Sequence, residues 1–162
     1  MIKAIMAIDD LGGISKDGTM PWPKNSSDLQ WFKKNTINTI VVMGRLTWSD
    51  PFMPSPLKGR INVLVTNHNK KDYLGADQYI SGNIESHILN LSVKYENKDV
   101  FVIGGAEILN QSFNLIEKFY LTRIYGDFKC DKRIDLKKIQ ESMQMIKKID
   151  NDKTCHFEIW KK

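Results

Sequence analysis

The stretch Val100-Phe101-Val102-Ile103-Gly104-Gly105-Ala106-Glu107-Ile108 decides the fold class. Its first four residues are apolar and mostly β-branched, the pattern of a short strand covered on both faces. Two glycines break the run, and a helix follows from about Ala106 to Phe113. A strand running at once into a helix is half of a βα unit. The same order occurs upstream, where Thr39–Met43 ends at Gly44 and Arg45 opens another helix. Ile2–Ile8 and Ile61–Thr66 are further buried strands, and Ile84–Tyr95 puts Ile84, Ile88, Leu91 and Tyr95 at helical spacing. Downstream, Phe119–Tyr125 alternates as a strand, and Met143–Ile149 with Thr154–Trp160 form a closing antiparallel pair. The prediction is a single α/β domain over residues 1–162, with a mainly parallel sheet, an antiparallel C-terminal portion and flanking helices. The order of the strands does not follow from this pattern.

The 41% hydrophobic content is that of a globular chain. No apolar run approaches the ~20 residues that span a bilayer, and the N-terminal segment lacks the long apolar stretch of a signal peptide, so a cytoplasmic location is expected. Cys130 and Cys155 stand alone, which argues for free thiols rather than a disulfide framework or a zinc site. His68, His87 and His156 match no metal spacing and are expected in surface or structural roles. The net charge of +5 resides entirely in residues 118–162, which carry 12 basic and 7 acidic side chains. Acids interrupt each basic pair there, at Asp131, Asp135, Glu141, Asp150 and Asp152, so a solvated surface is expected rather than a nucleic-acid stripe.

In open α/β sheets, ligands bind beyond the carboxyl ends of the strands. Two junctions there suit phosphates: Gly44-Arg45-Leu46-Thr47, which adds a guanidinium to a helix start, and Gly104-Gly105, where the backbone can approach a ligand closely. Neither a G-x-G-x-x-G nor a P-loop motif is present. The third junction is Met20-Pro21-Trp22, leading into Asp28-Leu29-Gln30-Trp31-Phe32. Ser27 and Gln30 form a potential capping box for a short helix. On that helix Asp28 and Phe32 lie about 40° apart, with Leu29 beside them. A carboxylate on an apolar helix face either answers the helix dipole or grips a cationic or amide-like heterocycle from within a hydrophobic pocket.

These motifs, in this order, resemble the dihydrofolate reductase family along essentially the whole chain. The similar pieces are Met20-Pro21-Trp22 with Asp28-Leu29-x-x-Phe32, Val42-Met43-Gly44-Arg45-x-Thr47-Trp48, Pro56-Leu57-x-Gly59-Arg60-x-Asn62-Val63, Ile103-Gly104-Gly105 and Tyr120-Leu121-Thr122-x-Ile124. The resemblance implies an eight-stranded sheet that binds NADPH and dihydrofolate, or antifolate inhibitors, in one cleft, in a protein expected to be a monomer that binds neither nucleic acid nor membrane. It assigns Asp28 to the pterin ring's 2-amino group and N3. Ile5, Ala7, Leu29, Phe32, Ile103 and Thr122 would line the pterin pocket, and Arg60 would pair with the substrate's glutamate carboxylate. Asp28, Trp22 and Thr122 would be the catalytic group, with Trp22 positioning water near the carboxylate.

For the cofactor, the resemblance implies Ala7, Ile14, Met20 and Gly104–Ile108 (Gly104, Gly105, Ala106, Glu107, Ile108), together with Ile103, around nicotinamide, ribose and pyrophosphate. Gly44, Arg45, Leu46, Thr47, Thr66, Asn67 and Gln111 would surround the adenosine side. It also implies a cis bond between Gly104 and Gly105 and a mobile flap over Gly12–Met20 that closes over the rings. Ser15, Lys58 and Leu109 depart from the family's usual residues. Leu46, where a basic residue is frequent, and Glu107 weaken the expectation of a strong NADPH preference. The alternatives are a riboflavin-pathway pyrimidine reductase on the same fold, against which Arg60 and the Asp28 helix argue, and a non-catalytic nucleotide or nucleic-acid binder.

Overall fold

In the computed structural model, which describes residues 1–162, the chain forms β1 (Ile2–Ile8), β2 (Gly13–Ser15), α1 (Ser26–Thr36), β3 (Ile40–Gly44), α2 (Arg45–Trp48), β4 (Ile61–Val65), β5 (Gln78–Ile80) and α3 (Ile84–Lys94). It continues with β6 (Val100–Gly104), α4 (Ala106–Ser112), β7 (Lys118–Ile124), β8 (Lys132–Arg133), α5 (Leu136–Ser142), β9 (Gln144–Asp150) and β10 (Cys155–Lys161). Eight strands make one sheet in the order β5-β4-β3-β6-β1-β7-β10-β9. The first six are mutually parallel, while β10 runs antiparallel to both β7 and β9. From β1 the chain builds outward on one side through β3, β4 and β5, then returns to place β6 and β7 on either side of β1. That reversal opens a crevice at the strands' carboxyl ends.

Successive residues of the central strands feed opposite faces. Ile40, Val42, Val100 and Val102 join a core cluster of 22 buried residues, and Val41, Met43, Phe101 and Ile103 join one of 8 on the other face. This two-sided burial explains the continuous apolar runs in the sequence. The predicted strands, with α3 and α4, begin and end within one residue of the expected bounds. Three features go beyond the prediction: the three-residue edge strand β5, the helix α5, and the small sheet formed by β2 and β8.

The start of α1 corrects the capping prediction. Ser27 and Gln30 do not form the box; Asn25 is the N-cap, and its side-chain oxygen accepts from the Asp28 backbone N–H at 3.1 Å. The short amide of Asn25 reaches that N–H, while its own Nδ2 donates to Thr154 Oγ1 at 3.0 Å. One turn further on, Trp31 stacks on Phe157 of β10 with centroids 4.5 Å apart. Both contacts tie α1 to the sheet.

The base of the segment Gly12–Met20 is pinned from below by Asp9, which is 1% exposed. Its carboxylate accepts from the N–H groups of Leu11 (2.9 Å), Gly13 (2.8 Å) and Phe128 (3.1 Å), and the Cys130 thiol lies 3.5 Å away. Burial, with the adjacent Asp9 charge, pushes the Cys130 thiol up to about 11, so it remains a neutral donor. A side chain at Gly13 has no room: its Cβ would lie 2.5 Å from both Cβ and Sγ of Cys130. Gly13→Ala is therefore expected to cost about 1–3 kcal/mol by overpacking. Thermal unfolding would show this, together with faster proteolysis within residues 12–20; an unchanged midpoint would contradict the packing described.

Candidate active site

A cleft of about 820 Å³ opens at the carboxyl ends of β1, β3 and β6. Pockets that bury one drug-sized ligand span roughly 300–1,000 Å³, so this one has room beyond a single flat ring. At its centre the turn from β6 to α4 contains a cis bond between Gly104 and Gly105. Gly104 has φ +134°, and a Cβ there would lie 2.9 Å from Thr47 Oγ1. Only glycine lets the β6–α4 turn and the first turn of α2 approach so closely. Side chains of Asn25, Asn83 and Asp135 cap α1, α3 and α5, whereas α2 and α4 begin at Gly44 and Gly105 with no side-chain cap. Their first N–H groups face the cleft free of a side-chain partner.

At one end of the cleft, β1 contributes Ile5, Met6 and Ala7, β6 contributes Ile103, and α1 contributes Asp28 and Phe32. Asp28 is 7% exposed. Burial raises its pKa above the ordinary carboxylate value, and the neighbouring Thr122 hydroxyl draws it partly back. Thr122 is itself 1% exposed, and its Oγ1 meets no partner at full hydrogen-bond geometry, so it has capacity left for one. The carboxyl stands in the first turn of α1, where the helix dipole also favours its ionised form. Asp28 thus combines a place at the helix dipole with burial in an apolar pocket.

The structure brings Ile5, Ala7, Ile14, Met20, Asp28, Phe32, Gly44, Arg45, Leu46, Thr47, Thr66, Asn67, Ile103, Gly104, Gly105, Ala106, Glu107, Ile108 and Gln111 around this one cleft. Four of the named residues stand apart from its lining. Leu29, one residue past Asp28 and so about 100° around α1, lines a small adjoining depression together with Asp28, Trp22 and Phe52. Trp22 is 4% exposed and packs with Ile124, Cys130, Cys155 and Phe157, while its edge borders the depression that Asp28 also lines. Thr122 lies behind Asp28. Arg60 sits at the far end of α1, donating to Thr36 Oγ1 at 3.1 Å and to the Lys58 carbonyl at 3.0 Å. Eight residues of helix place that end about 12 Å from Asp28.

Sequence reasoning missed Met53, His68, Ser81, Gly82 and Lys132, all of which line the cleft. His68 is exposed, as the sequence reading expected of a surface histidine, and its part of the surface is the rim of the cleft. It follows Thr66-Asn67 on the loop after β4, and only β5, too short to recognise, places that loop beside Ser81 and Gly82.

An open α/β sheet with a cleft of about 820 Å³ at its carboxyl edge, and a buried carboxyl in an apolar pocket at one end of that cleft, has the ligand-binding architecture of such folds. A family model described as dihydrofolate reductase matches residues 1–162. The chain is 38% identical over 133 residues to a bifunctional dihydrofolate reductase-thymidylate synthase of Zea mays, covering 74% of this chain and 25% of that protein. It is 35% identical over 123 residues to a dihydrofolate reductase of Buchnera aphidicola, covering 76% and 71% respectively. The solved dihydrofolate reductase of Enterococcus faecalis, complexed with NADP(H) and RAB-propyl, superposes with a TM-score of 0.84 at 25% identity, covering 99% of this chain and 95% of that one. Against the bifunctional plant proteins, the chain spans about a quarter of their length, 25–27%. This chain belongs to the dihydrofolate reductase family.

Proposed function

We propose that the protein reduces 7,8-dihydrofolate to 5,6,7,8-tetrahydrofolate with NADPH. The observation that carries this reading is the buried Asp28 carboxyl, set with Ile5, Phe32 and Ile103 in the lining of a cleft of about 820 Å³. The backbone fits the cofactor: the open space around Gly105 and the uncapped starts of α2 and α4 admit a phosphate-bearing chain close to the main chain, and Gly104 lets the turn pack against Thr47 beside them. Bound NADPH supplies the hydride.

The residues of this chain do the rest. Asp28 Oδ atoms accept from the amino and N3 side of the pterin, fixing its orientation, and Thr122 supports that carboxyl from behind. Ile5, Phe32 and Ile103 would hold the ring dry, and Ala7, Ile14 and Met20 would close the space it shares with the nicotinamide. Asp28 grips the edge of the ring away from N5, so it acts through binding and field, and water brings the N5 proton past Trp22. Arg60, held at the far end of α1 by its bond to Thr36, would pair with the glutamate tail; its guanidinium is half-buried, and burial lowers its pKa without threatening its charge.

The test is the loss of absorbance at the reduced-nicotinamide band. NADPH oxidation is expected only when dihydrofolate is added. Oxidation with a riboflavin-pathway pyrimidine instead would favour the related reductase, and none with either substrate would overturn the reading.

A further inference from the structure

We infer that Lys132 is a further cationic contact for the pyrophosphate of the bound dinucleotide, carried to the cleft by the strand that holds the flap; the inference rests on the function proposed above. The cleft that would receive a polyanion is poorly supplied with positive charge. Among its lining side chains the fixed cations are Arg45 and Lys132, against the acids Asp28, Asp50 and Glu107. Glu107 stands in the first turn of α4, beside the Gly104–Gly105 turn where the pyrophosphate is expected. An acid there repels phosphate unless a cation answers it.

Arg45 and Lys132 are differently placed. Nη1 of Arg45 lies 3.4 Å from the Tyr73 hydroxyl, which directs it toward the β4–β5 side of the sheet, the side of Thr66 and Asn67. Lys132 belongs to β8, where its Cα pairs with that of Ser15 in β2. Ser15 and its neighbour Ile14 line the cleft, as does Gly18 further along the flap. The ammonium of Lys132 makes no ion pair or hydrogen bond within the chain, unlike the nearby Asp131, which accepts from the Asp17 N–H at 2.9 Å. Lys132 thus lines the cleft on the side of the flap, with Ile14, Ser15 and Gly18, and brings there a cation that has no partner in the chain. No local signal marks this role, because Lys132-Arg133 resembles any other solvated basic pair of the C-terminal third.

The pyrophosphate is common to NADPH and NADH, whereas the 2′-phosphate is not, and this separates a contact to the first from a contact to the second. Dissociation constants for both dinucleotides, measured by quenching of tryptophan fluorescence without folate present, are expected to rise together in Lys132→Met, by roughly 5- to 20-fold at low salt. The difference should shrink as salt is raised, and Lys132→Arg should restore most of the affinity. Thermal midpoints should stay level, since the side chain is exposed. Unchanged binding of both dinucleotides in Lys132→Met would overturn the assignment, as would weakening confined to NADPH. Failure of the unaltered protein to bind either dinucleotide would overturn the functional reading and this inference together.

Discussion

Asp28→Asn is expected to lower kcat/KM for dihydrofolate by at least ~30-fold near neutral pH, equivalent to about 2 kcal/mol of lost transition-state stabilisation, while making the folded protein more stable. The first effect follows from replacing a charge-assisted acceptor by a neutral amide of the same shape, which offers one acceptor and presents donors to donors. The second follows from burial, which raises the carboxyl's pKa in the folded state above its ordinary 3.8. Between those two values the folded protein binds more protons than the unfolded chain, so stability falls as pH rises through the window and stays lowered above it. Asparagine carries no such cost. The variant's thermal midpoint should exceed that of the unaltered protein at pH 7, and the advantage should vanish below about pH 4, where both states of the carboxyl are protonated. Loss of activity together with gain of stability marks a residue retained for its chemistry. Undiminished turnover would remove Asp28 from its role, and a lower midpoint at pH 7 would show that its charge is well compensated in the fold.

Gly104→Ala is expected to destabilise the protein by about 2–3 kcal/mol, a fall of roughly 5–10 °C in thermal midpoint for a domain of this size, and to weaken dinucleotide binding more than tenfold. Two independent costs combine. The backbone at 104 has φ +134°, outside the comfortable range of residues with a Cβ, and the added methyl would meet Thr47 Oγ1 at 2.9 Å. Either the turn or α2 must shift, and both form the centre of the cleft. A second substitution, Thr47→Ala, removes the contact but not the backbone cost, so it should recover only part of the stability. Gly105→Ala serves as the contrast: φ there is −88°, with no atom within 4 Å of the added carbon, and its midpoint should stay within about 2 °C. Equal losses at 104 and 105 would show that the turn tolerates no side chain at all, whatever the packing.

Much of this protein is legible in its sequence because the signals are local. Buried parallel strands announce themselves as apolar runs, and β3, β4 and β6 are visible for that reason. Asp28 and Phe32 share a face because a helix has a fixed pitch, so an acid among apolar residues is conspicuous from spacing alone. The paired glycines at 104 and 105 end a strand, and at 104 the backbone and the nearness of Thr47 leave glycine no substitute.

Other parts are silent for an equally physical reason. The three residues of β5 and the two of β8 are too few to show a period, and they are strands only because β4 and β2 pair with them. The N-cap falls to Asn25 rather than Ser27 because β10's approach, with Thr154 within reach, decides where α1 begins. Leu29, His68 and Lys132 escape a local reading because the neighbours that give each its place lie elsewhere in the fold; Lys132 faces the cleft only through its pairing with Ser15, 117 positions earlier. Periodicity and residue chemistry, acting over a few residues, determined the elements and set one carboxylate among apolar residues. Which loops meet at the mouth of the cleft, and hence which charges a bound dinucleotide would feel, was decided by strand order alone, since that order is set by the burial of the whole sheet and not by any segment within it.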